Sequence, residues 1–281
     1  MKQRDRGYAM VAAVAAIAVF GLISLDLITS GRSAQRGLEA RFTRARLLAA
    51  ADAGIATAVH GLAMEGRGDR WPIDGRTRTL TFDGVALAVT VSDERGKIPL
   101  NSLTDSQARD MFEVGGAEGE ALDRITDAFL DWRDDDDEPR DYGAEAADYP
   151  AGRPRPRNGA LQSVGELAFI AGMQPEIFRK LRPAVTVFFG NSGGFSPETA
   201  HPLALAVMLG GGEDSADVLI RERELAGART ALEIARDQDL RGRAVTVEVA
   251  ARDGRGGQAF RSAIVELTGD PERPYWIRNL N

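Results

Sequence analysis

The amino-acid sequence predicts an α+β protein in which a long N-terminal helix packs on an antiparallel sheet that carries a large helical insertion. Three observations support this fold class: an apolar N-terminal stretch without proline, two hairpin patterns at opposite ends of the chain, and helix-forming segments between them. With 281 residues, the chain has the length of one large or two modest domains and can bury a sizeable core.

The N-terminal segment combines a short charged stretch with a long apolar one. The stretch KQRDRG at residues 2–7 precedes a run from Tyr8 to Leu25 in which no side chain is charged. That run is close to the minimum length of a membrane-crossing helix, roughly 17 to 25 residues. Two interpretations follow: a retained membrane helix at 8–28, or a cleaved secretory signal whose cleavage site uses the small residues within 30–34.

The residues after the apolar run keep the pattern of a helix. No proline occurs between Tyr8 and Glu65, and a helix that continued to Met64 would be about 85 Å long at about 1.5 Å per residue. We expect its second half, 29–66, to pack on a domain through one apolar stripe. The stripe consists of Leu48, Ala51, Ile55, Val59 and Leu62.

Two hairpin patterns, one near each end of the chain, predict the sheet. The first has the dipeptide Asp83-Gly84 between its strands, which is typical of a tight hairpin turn. Because a lone hairpin is not a stable sheet, we expect the two hairpins to pair with each other and to pack on the long helix. Segments 67–101 and 241–281 would then form one sheet domain. The predicted strands are 77–82, 85–91, 244–251, 259–267 and 275–277.

The middle of the chain, 102–240, has the character of an inserted helical domain. Several of its helical patterns follow Ser, Asp or Thr residues that can cap a helix. The predicted helices are 106–114, 118–132, 163–171, 175–181, 202–209 and 226–235.

Composition excludes several classes of site. The chain has no cysteine, so it has no disulfide, no thiol nucleophile and no thiolate metal site. Its two histidines, His60 and His201, leave little for histidine-based catalysis, and we predict that the protein is not an enzyme. Nine acidic and two basic residues between 131 and 148 account for the whole net charge of -7. The rest of the chain is balanced and shows no basic stripe suited to nucleic acid.

The stretch DWRDDDDEPRDYGAEAADY, which begins at residue 131, is the candidate site. Carboxylates crowded in a folded loop repel one another, and a divalent cation relieves that repulsion; oxygen ligands favour calcium over zinc. Pro139 stands where an EF-hand loop has glycine, so we do not predict an EF-hand. The alternative is an acidic surface loop that is simply solvated. The candidate ligands of a structural calcium ion are Asp131, Asp134, Asp136, Glu138 and Glu145.

Four pieces of sequence together resemble the minor pseudopilin K family of the type II secretion system. They are the leader KQRDRG followed by YAMVAAVAAIAVF, the stretch DERGKIPLNSL, the acidic stretch followed by RNGALQSVGEL, and the closing segments AFRSAIVEL and YWIR. The resemblance covers nearly the whole length. Ala12 stands at the fifth position after the leader, where most pilins have glutamate, and the lack of that glutamate is itself a trait of this family.

This resemblance implies a fold, a processing event and a role. The fold would be pilin-like, with a partly transmembrane helix and an inserted helical domain. A prepilin peptidase would cleave after the leader, 1–7, between Gly7 and Tyr8, and Tyr8 would be methylated. The protein would be anchored once in the inner membrane with its bulk in the periplasm. It would stand at the tip of the pseudopilus with minor pseudopilins I and J above the major pseudopilin, and it would support export of folded proteins.

Two other functions are consistent with parts of the sequence. One is a secretory-signal-cleaved periplasmic calcium-binding protein. The other is a pilus-tip subunit that binds nucleic acid through SVGELAFIAGMQPEIFRKL at 163–181, which looks like a helix-hairpin-helix unit whose turn can hold a phosphate. Because that unit is only weakly basic and lies next to the acidic stretch, we favour a packing role for it and expect no nucleic-acid partner.

Overall fold

The computed structural model describes residues 5–64, 70–189, 194–210, 221, 240–270 and 272–280. In the N-terminal helix it describes no side chains at 5–9, 11, 12, 22–34 and 36. The predicted helix 226–235 lies outside the described residues. The α+β class is confirmed, since a long helix packs on an antiparallel sheet and shorter helices lie between the sheet's two halves in sequence.

The long N-terminal helix, α1, spans Asp5–Ala63 and is continuous. Its second half packs on the sheet through the predicted stripe, in which Ala51, Ile55, Val59 and Leu62 are buried and Leu48 is partly buried. Among the residues whose side chains are described, no helix is long and apolar enough to cross a membrane.

Just beyond α1 the chain folds back against the helix. The amide of Trp71 donates to the carbonyl of Gly61 at 3.0 Å, and the indole ring lies where a side chain at Gly61 would be, with Cδ1 2.3 Å from an ideal Cβ position. The ring therefore covers the end of the helix only because residue 61 is glycine.

The main sheet has five antiparallel strands in the order β1-β2-β5-β6-β7. The two hairpins pair through β2 and β5, as expected, with Val89 opposite Val249. Asp83 and Gly84 have φ angles of 47° and 71°, the pair of positive values that a two-residue type I′ turn requires. The strands of this sheet are β1 (Asp74–Phe82), β2 (Val85–Asp93), β5 (Ala244–Arg252), β6 (Gln258–Leu267) and β7 (Tyr275–Leu280).

Between the two hairpins lie four described α-helices and a two-stranded parallel sheet that the sequence did not predict. That small sheet pairs β3 (Ile98–Pro99) with β4 (Val185–Thr186). The helices are α2 (Asp105–Gly115), α3 (Gly119–Arg133), α4 (Pro175–Leu181) and α5 (Pro202–Met208).

The helix predicted at 163–171 is instead a 3-10 helix, Val164–Phe169. Glu166 reaches back to the amide of Ser163, which starts the turn, but the chain becomes extended at Ile170 and turns with a positive φ of 84° at Gly172. The segment therefore has room for only a short helix.

Buried apolar side chains form two large clusters. One lies between α1 and the main sheet, and the other fills the insertion around Phe112, Phe129 and Trp132. The rings of Phe112 and Phe129 meet edge to face with centroids 5.5 Å apart. The insertion thus has a core of its own, from which the acidic stretch emerges.

Candidate metal centre

The acidic stretch begins in the last turn of α3 and is fixed at both ends by the core of the insertion. Trp132 is 2% exposed and meets the ring of Tyr149 edge to face at 5.3 Å, so the two ends of the stretch are held together. The hydroxyl oxygen of Tyr149 also accepts a hydrogen bond from the amide of Ala171 at 3.0 Å. The residues between these anchors form turns without regular secondary structure.

Three carboxylates in this loop converge. Oxygen atoms of Asp134, Asp136 and Glu145 all lie within 4.8 Å of one another. The side chain of Glu145 is buried, and neither of its carboxylate oxygens has a hydrogen-bond partner among the described residues; the same holds for Oδ1 of Asp134. A buried carboxylate without partners is costly, because it has lost water and gained nothing in return.

The pKa values of the converging carboxyl groups reflect the same cost of burying a carboxylate. Burial, followed by the charges of Asp131 and Asp134, raises the pKa of Glu145 above its ordinary value. Burial, with the charges of Asp131 and Asp136, likewise raises the pKa of Asp134. A cation at this point would reverse the effect, since it favours the ionised form of each ligand. The donor set is three carboxylates, two of which have buried oxygens without a hydrogen-bond partner among the described residues, and it fits a hard cation such as calcium.

The structure brings together three of the five predicted ligands, and Asp131 is not among the three. Asp131 is completely buried, and its Oδ2 accepts hydrogen bonds from the amides of Arg140 at 3.2 Å and Ala144 at 2.9 Å. Burial raises its pKa, and these two amides oppose the shift. From this position Asp131 holds the loop closed and thereby fixes the position of Glu145.

Glu138, the remaining predicted ligand, is exposed and lies outside the group of three. Its amide donates to Oδ1 of Asp136 at 2.9 Å, so the residue contributes a backbone contact that orients a neighbouring carboxylate. The sequence predicts that the Glu138 side chain is a ligand, but that side chain is exposed to solvent.

Two further residues shape the loop although the sequence did not single them out. Asn158, which has a positive φ of 50°, donates from Nδ2 to Oδ1 of Asp137 at 2.8 Å and to the carbonyl of Asp136. Oδ2 of Asp148 accepts from the amide of Glu145 at 2.9 Å. The signal for the first was the dipeptide Asn-Gly after the acidic stretch, which is typical of a tight turn.

A basic side chain also lies near the group. The guanidinium of Arg140 contacts Asp131, Asp105 and, at 3.9 Å, Oδ2 of Asp134. Of the three converging carboxylates, Arg140 therefore contacts only that of Asp134 among the described ion pairs. The carboxylate oxygens of Glu145 have no partner among the described residues.

The other predicted sites are placed as follows. Gly7 and Tyr8, the predicted cleavage site, belong to the first turns of α1, where side chains are outside the described residues. The unit that resembles a helix-hairpin-helix uses Leu167, Ile177 and Leu181 as part of the insertion core.

Comparison with known proteins finds similarity in both sequence and fold. Residues 88–190 match the family described as type II secretion system (T2SS), protein K. The chain is 32% identical over 126 residues to the type II secretion system protein K of Dickeya chrysanthemi, and the matched region covers 43% of this chain and 35% of that protein. The match therefore spans about a third of the relative's length.

A solved structure resembles the chain over most of its length. It is a chain from the crystal structure of the GspK-GspI-GspJ complex of the enterotoxigenic Escherichia coli type 2 secretion system, with a TM-score of 0.60 and 13% identity. The likeness covers 84% of this chain and 95% of that chain. At this identity it is a likeness of fold.

Proposed function

We propose that the chain is a minor pseudopilin at the tip of the pseudopilus, because residues 88–190 match the protein K family of the type II secretion system. In this role it assembles with minor pseudopilins I and J above the major pseudopilin and supports export of folded proteins across the outer membrane. The role is structural and involves no catalysis. The observation that carries the proposal is that the matched residues run from β2 through the whole acidic loop to β4.

The fold supports a position at the tip. In a filament of pilin-like subunits, apolar helices leave the lipid only if they pack on equivalent helices, so assembly exchanges lipid contacts for helix contacts. The apolar stretch from Tyr8 would first anchor the chain in the inner membrane and then join the filament core. An inserted domain with its own core adds bulk on the sheet that would block a further subunit above it. Ala12 fits the same position, since a subunit with no neighbour above needs no acid to meet that neighbour's amino terminus.

Processing by a prepilin peptidase is part of the proposal. Cleavage between Gly7 and Tyr8 would remove the charged leader and leave the apolar helix attached, with a methylated Tyr8. The remaining chain would be a single-pass inner-membrane protein with its bulk in the periplasm. A secretory signal peptidase would instead remove the helix near Arg32 and release a soluble periplasmic calcium-binding protein.

We also propose that the acidic loop holds a structural calcium ion with Asp134, Asp136 and Glu145 as side-chain ligands. The unpartnered buried oxygens of Glu145 and Asp134 support this proposal, because calcium would supply the charge that their burial lacks. Asp131 and Glu138 would contribute by fixing the shape of the loop and would not bind the ion directly.

Sequencing the amino terminus of the native protein tests the anchor and the tip role together. We expect a mature chain that begins at Tyr8, and we expect Gly7→Val to remain unprocessed and to abolish secretion. The processed full chain in detergent should form a stable complex with purified minor pseudopilins I and J. A mature chain that begins near Arg32, or normal processing of Gly7→Val, would contradict the proposal. Salt-dependent binding to duplex DNA would favour the nucleic-acid alternative.

A further inference from the structure

The side chain of Asn158 joins the acidic loop to the segment that follows it. Its Nδ2 donates to Oδ1 of Asp137 at 2.8 Å and to the main-chain carbonyl of Asp136, across 21 and 22 positions of sequence. We name these two hydrogen bonds the cross-loop bonds. The backbone of Asn158 has a φ of 50°, a left-handed conformation that asparagine tolerates better than most residues do. The contact across the loop therefore depends on one side-chain amide.

The turn at 158–159 lies between two anchored neighbours. On one side, the guanidinium of Arg157 contacts Oε2 of Glu166 at 3.1 Å. On the other side, the amide of Leu161 donates to Oδ1 of Asn101 at 2.8 Å, and the carbonyl of Leu161 accepts from Nδ2 of Asn101 at 2.9 Å. The chain before and after the turn is thus fixed to the insertion, while the turn itself is held to the loop by the cross-loop bonds.

An asparagine that precedes glycine can lose its side-chain amide without an enzyme. The main-chain nitrogen of Gly159 attacks Cγ of Asn158 and forms a new N–C bond, while the Cγ–Nδ2 bond breaks and Nδ2 leaves as ammonia with the proton of the Gly159 nitrogen. Water then adds to one of the two carbonyl groups of the resulting succinimide and opens it to aspartate or isoaspartate. The sum is one water consumed and one ammonia released, with no oxidant or reductant.

Gly159 suits this reaction. Glycine has no side chain to hinder its nitrogen, and it has the widest choice of backbone conformations. An ideal Cβ at residue 159 would have its nearest atom, the carbonyl oxygen of Arg157, at 3.9 Å, so the described surroundings leave this side of the turn open. In the sequence, Asn158 is the only asparagine that is followed by glycine; Asn101, for comparison, is followed by Ser102.

The nitrogen that this reaction removes is the nitrogen that holds the loop. Ring closure turns the side chain toward its own main chain, so it competes with the cross-loop bonds and requires a local opening. The product has a carboxylate in place of the amide, and a carboxylate has no proton to donate. It would face the carbonyl oxygen of Asp136 and the carboxylate of Asp137, where like charges repel. A modified chain has therefore lost both bonds and gained a repulsion.

We propose that Asn158 is a deamidation site coupled to the acidic loop: cyclisation with Gly159 proceeds when the cross-loop bonds open, and the carboxylate that it leaves keeps them from forming again. A loop that has opened and reacted would then stay open. The site requires neither calcium nor a place at the pseudopilus tip, because the asparagine, the glycine and the two acceptors all belong to this chain.

Peptide mass spectrometry tests the proposal on the full chain in detergent, kept folded in calcium-free buffer at mildly alkaline pH. We expect Asn158 to convert to aspartate and isoaspartate at least about 10-fold more slowly than in the same chain unfolded in urea. Asn101 should stay intact over the same period and serves as the internal reference. Equal rates in the folded and the unfolded chain would overturn control by the cross-loop bonds. Absence of any conversion in the folded chain would overturn the site itself.

The variant Gly159→Ala tests the route of the reaction. The φ angle at residue 159 is not positive and no close atom would meet the new methyl group, so the fold should be retained. Because the methyl group restricts the backbone and hinders the nitrogen, deamidation of Asn158 should slow by about 10-fold or more in both the folded and the unfolded chain. An unchanged rate would overturn cyclisation through residue 159.

A second pair of variants tests the consequence for the loop. Asn158→Asp carries the carboxylate of the product, whereas Asn158→Gly removes the side chain and adopts the positive φ readily. Both should speed hydrogen exchange of the Glu138 amide, which bonds to Asp136, and Asn158→Asp should speed it more, by about 10-fold or more relative to wild type. An effect of Asn158→Asp no larger than that of Asn158→Gly would overturn the repulsion. The wild-type deamidation rates decide the first half of the proposal even if a variant folds poorly.

Discussion

Asp131 and Ala144 close the acidic loop: the amide of Ala144 donates to Oδ2 of Asp131 at 2.9 Å, across 13 positions of sequence. The Asp131 carboxylate is completely buried at the end of α3, and Glu145 follows Ala144 directly. The position of Glu145 therefore depends on a contact made by its neighbour. An acid that the sequence suggests as a ligand instead shapes the loop that holds the ligands.

Gly143 makes this closure possible, and Gly143→Ala should disrupt it. An ideal Cβ at residue 143 would lie 1.8 Å from Oδ2 of Asp131 and 3.0 Å from the amide nitrogen of Arg140, so the carboxylate or the loop must move. We expect a loss of about 1 to 3 kcal/mol in the free energy of unfolding. Gly159→Ala is the control, because its nearest atom lies at 3.9 Å and its φ is not positive. Equal midpoints for the two variants in urea would contradict the prediction.

Calcium should stabilise the folded chain, and Glu145→Gln should remove about half of that effect or more. An ion at 100 times its dissociation constant adds about 2.7 kcal/mol if it binds only the folded state. Because the Glu145 carboxylate is buried without a hydrogen-bond partner among the described residues, its neutralisation should leave the calcium-free protein as stable as before or more stable, while calcium affinity falls about 10-fold or more.

Glu138→Gln is the matched control for this calcium prediction. The residue is exposed and lies outside the three converging carboxylates, so its amide substitution should change neither calcium affinity nor melting temperature. Titration calorimetry and thermal unfolding, with calcium and with chelator, measure both quantities. A melting curve that chelator leaves unchanged would reject a structural ion.

The stabilising effect of calcium should depend on pH in a defined direction. The folded pKa values of Asp134 and Glu145 are raised above those of the unfolded chain. Without calcium, their contribution to stability is present below the ordinary carboxyl pKa of about 4 and is lost as pH rises through the folded values. Calcium binds the ionised forms, so its effect on melting temperature should grow over the same rise in pH. Melting curves from about pH 4 to 8, with calcium and with chelator, test this, and a calcium effect independent of pH would count against these ligands.

The parts of the fold that sequence predicted are those with a local physical signal. The turn at Asp83-Gly84 needs two positive φ angles, which that dipeptide adopts readily. The alternation of residues along each strand then predicts the two strands on either side of this turn. Helix α4 begins at Pro175, as predicted, because proline suits the first turn of a helix. The apolar stripe from Ala51 to Leu62 also has a local signal, because its residues recur at intervals of three and four and so share one face of the helix.

The parts that sequence could not predict depend on distant contacts. Strands β3 and β4 pair two residues each, Ile98 with Val185 and Pro99 with Thr186, and so short a pairing leaves no pattern. In the acidic loop, spacing treats all five predicted acids alike. The fold separates them, since backbone amides bind the carboxylate of Asp131, whereas the carboxylate oxygens of Glu145 have no hydrogen-bond partner in the part of the chain that the structure describes.

A buried ion pair joins the end of β2 to the residue before β5, where the sheet meets the insertion, and Asp93→Asn should weaken this junction strongly. Asp93 ends β2; its Oδ1 accepts from Nε of Arg243 at 3.0 Å, and its Oδ2 accepts from Oγ1 of Thr199 at 2.7 Å. Loss of one charge from a buried pair costs about 3 to 5 kcal/mol. Asp83→Asn is the control, because Asp83 pairs with Arg46 on the surface, where such pairs contribute about 0 to 1 kcal/mol. Urea unfolding of both variants measures the difference. Similar losses in the two would mean that the buried pair adds no more to the junction than a surface contact does.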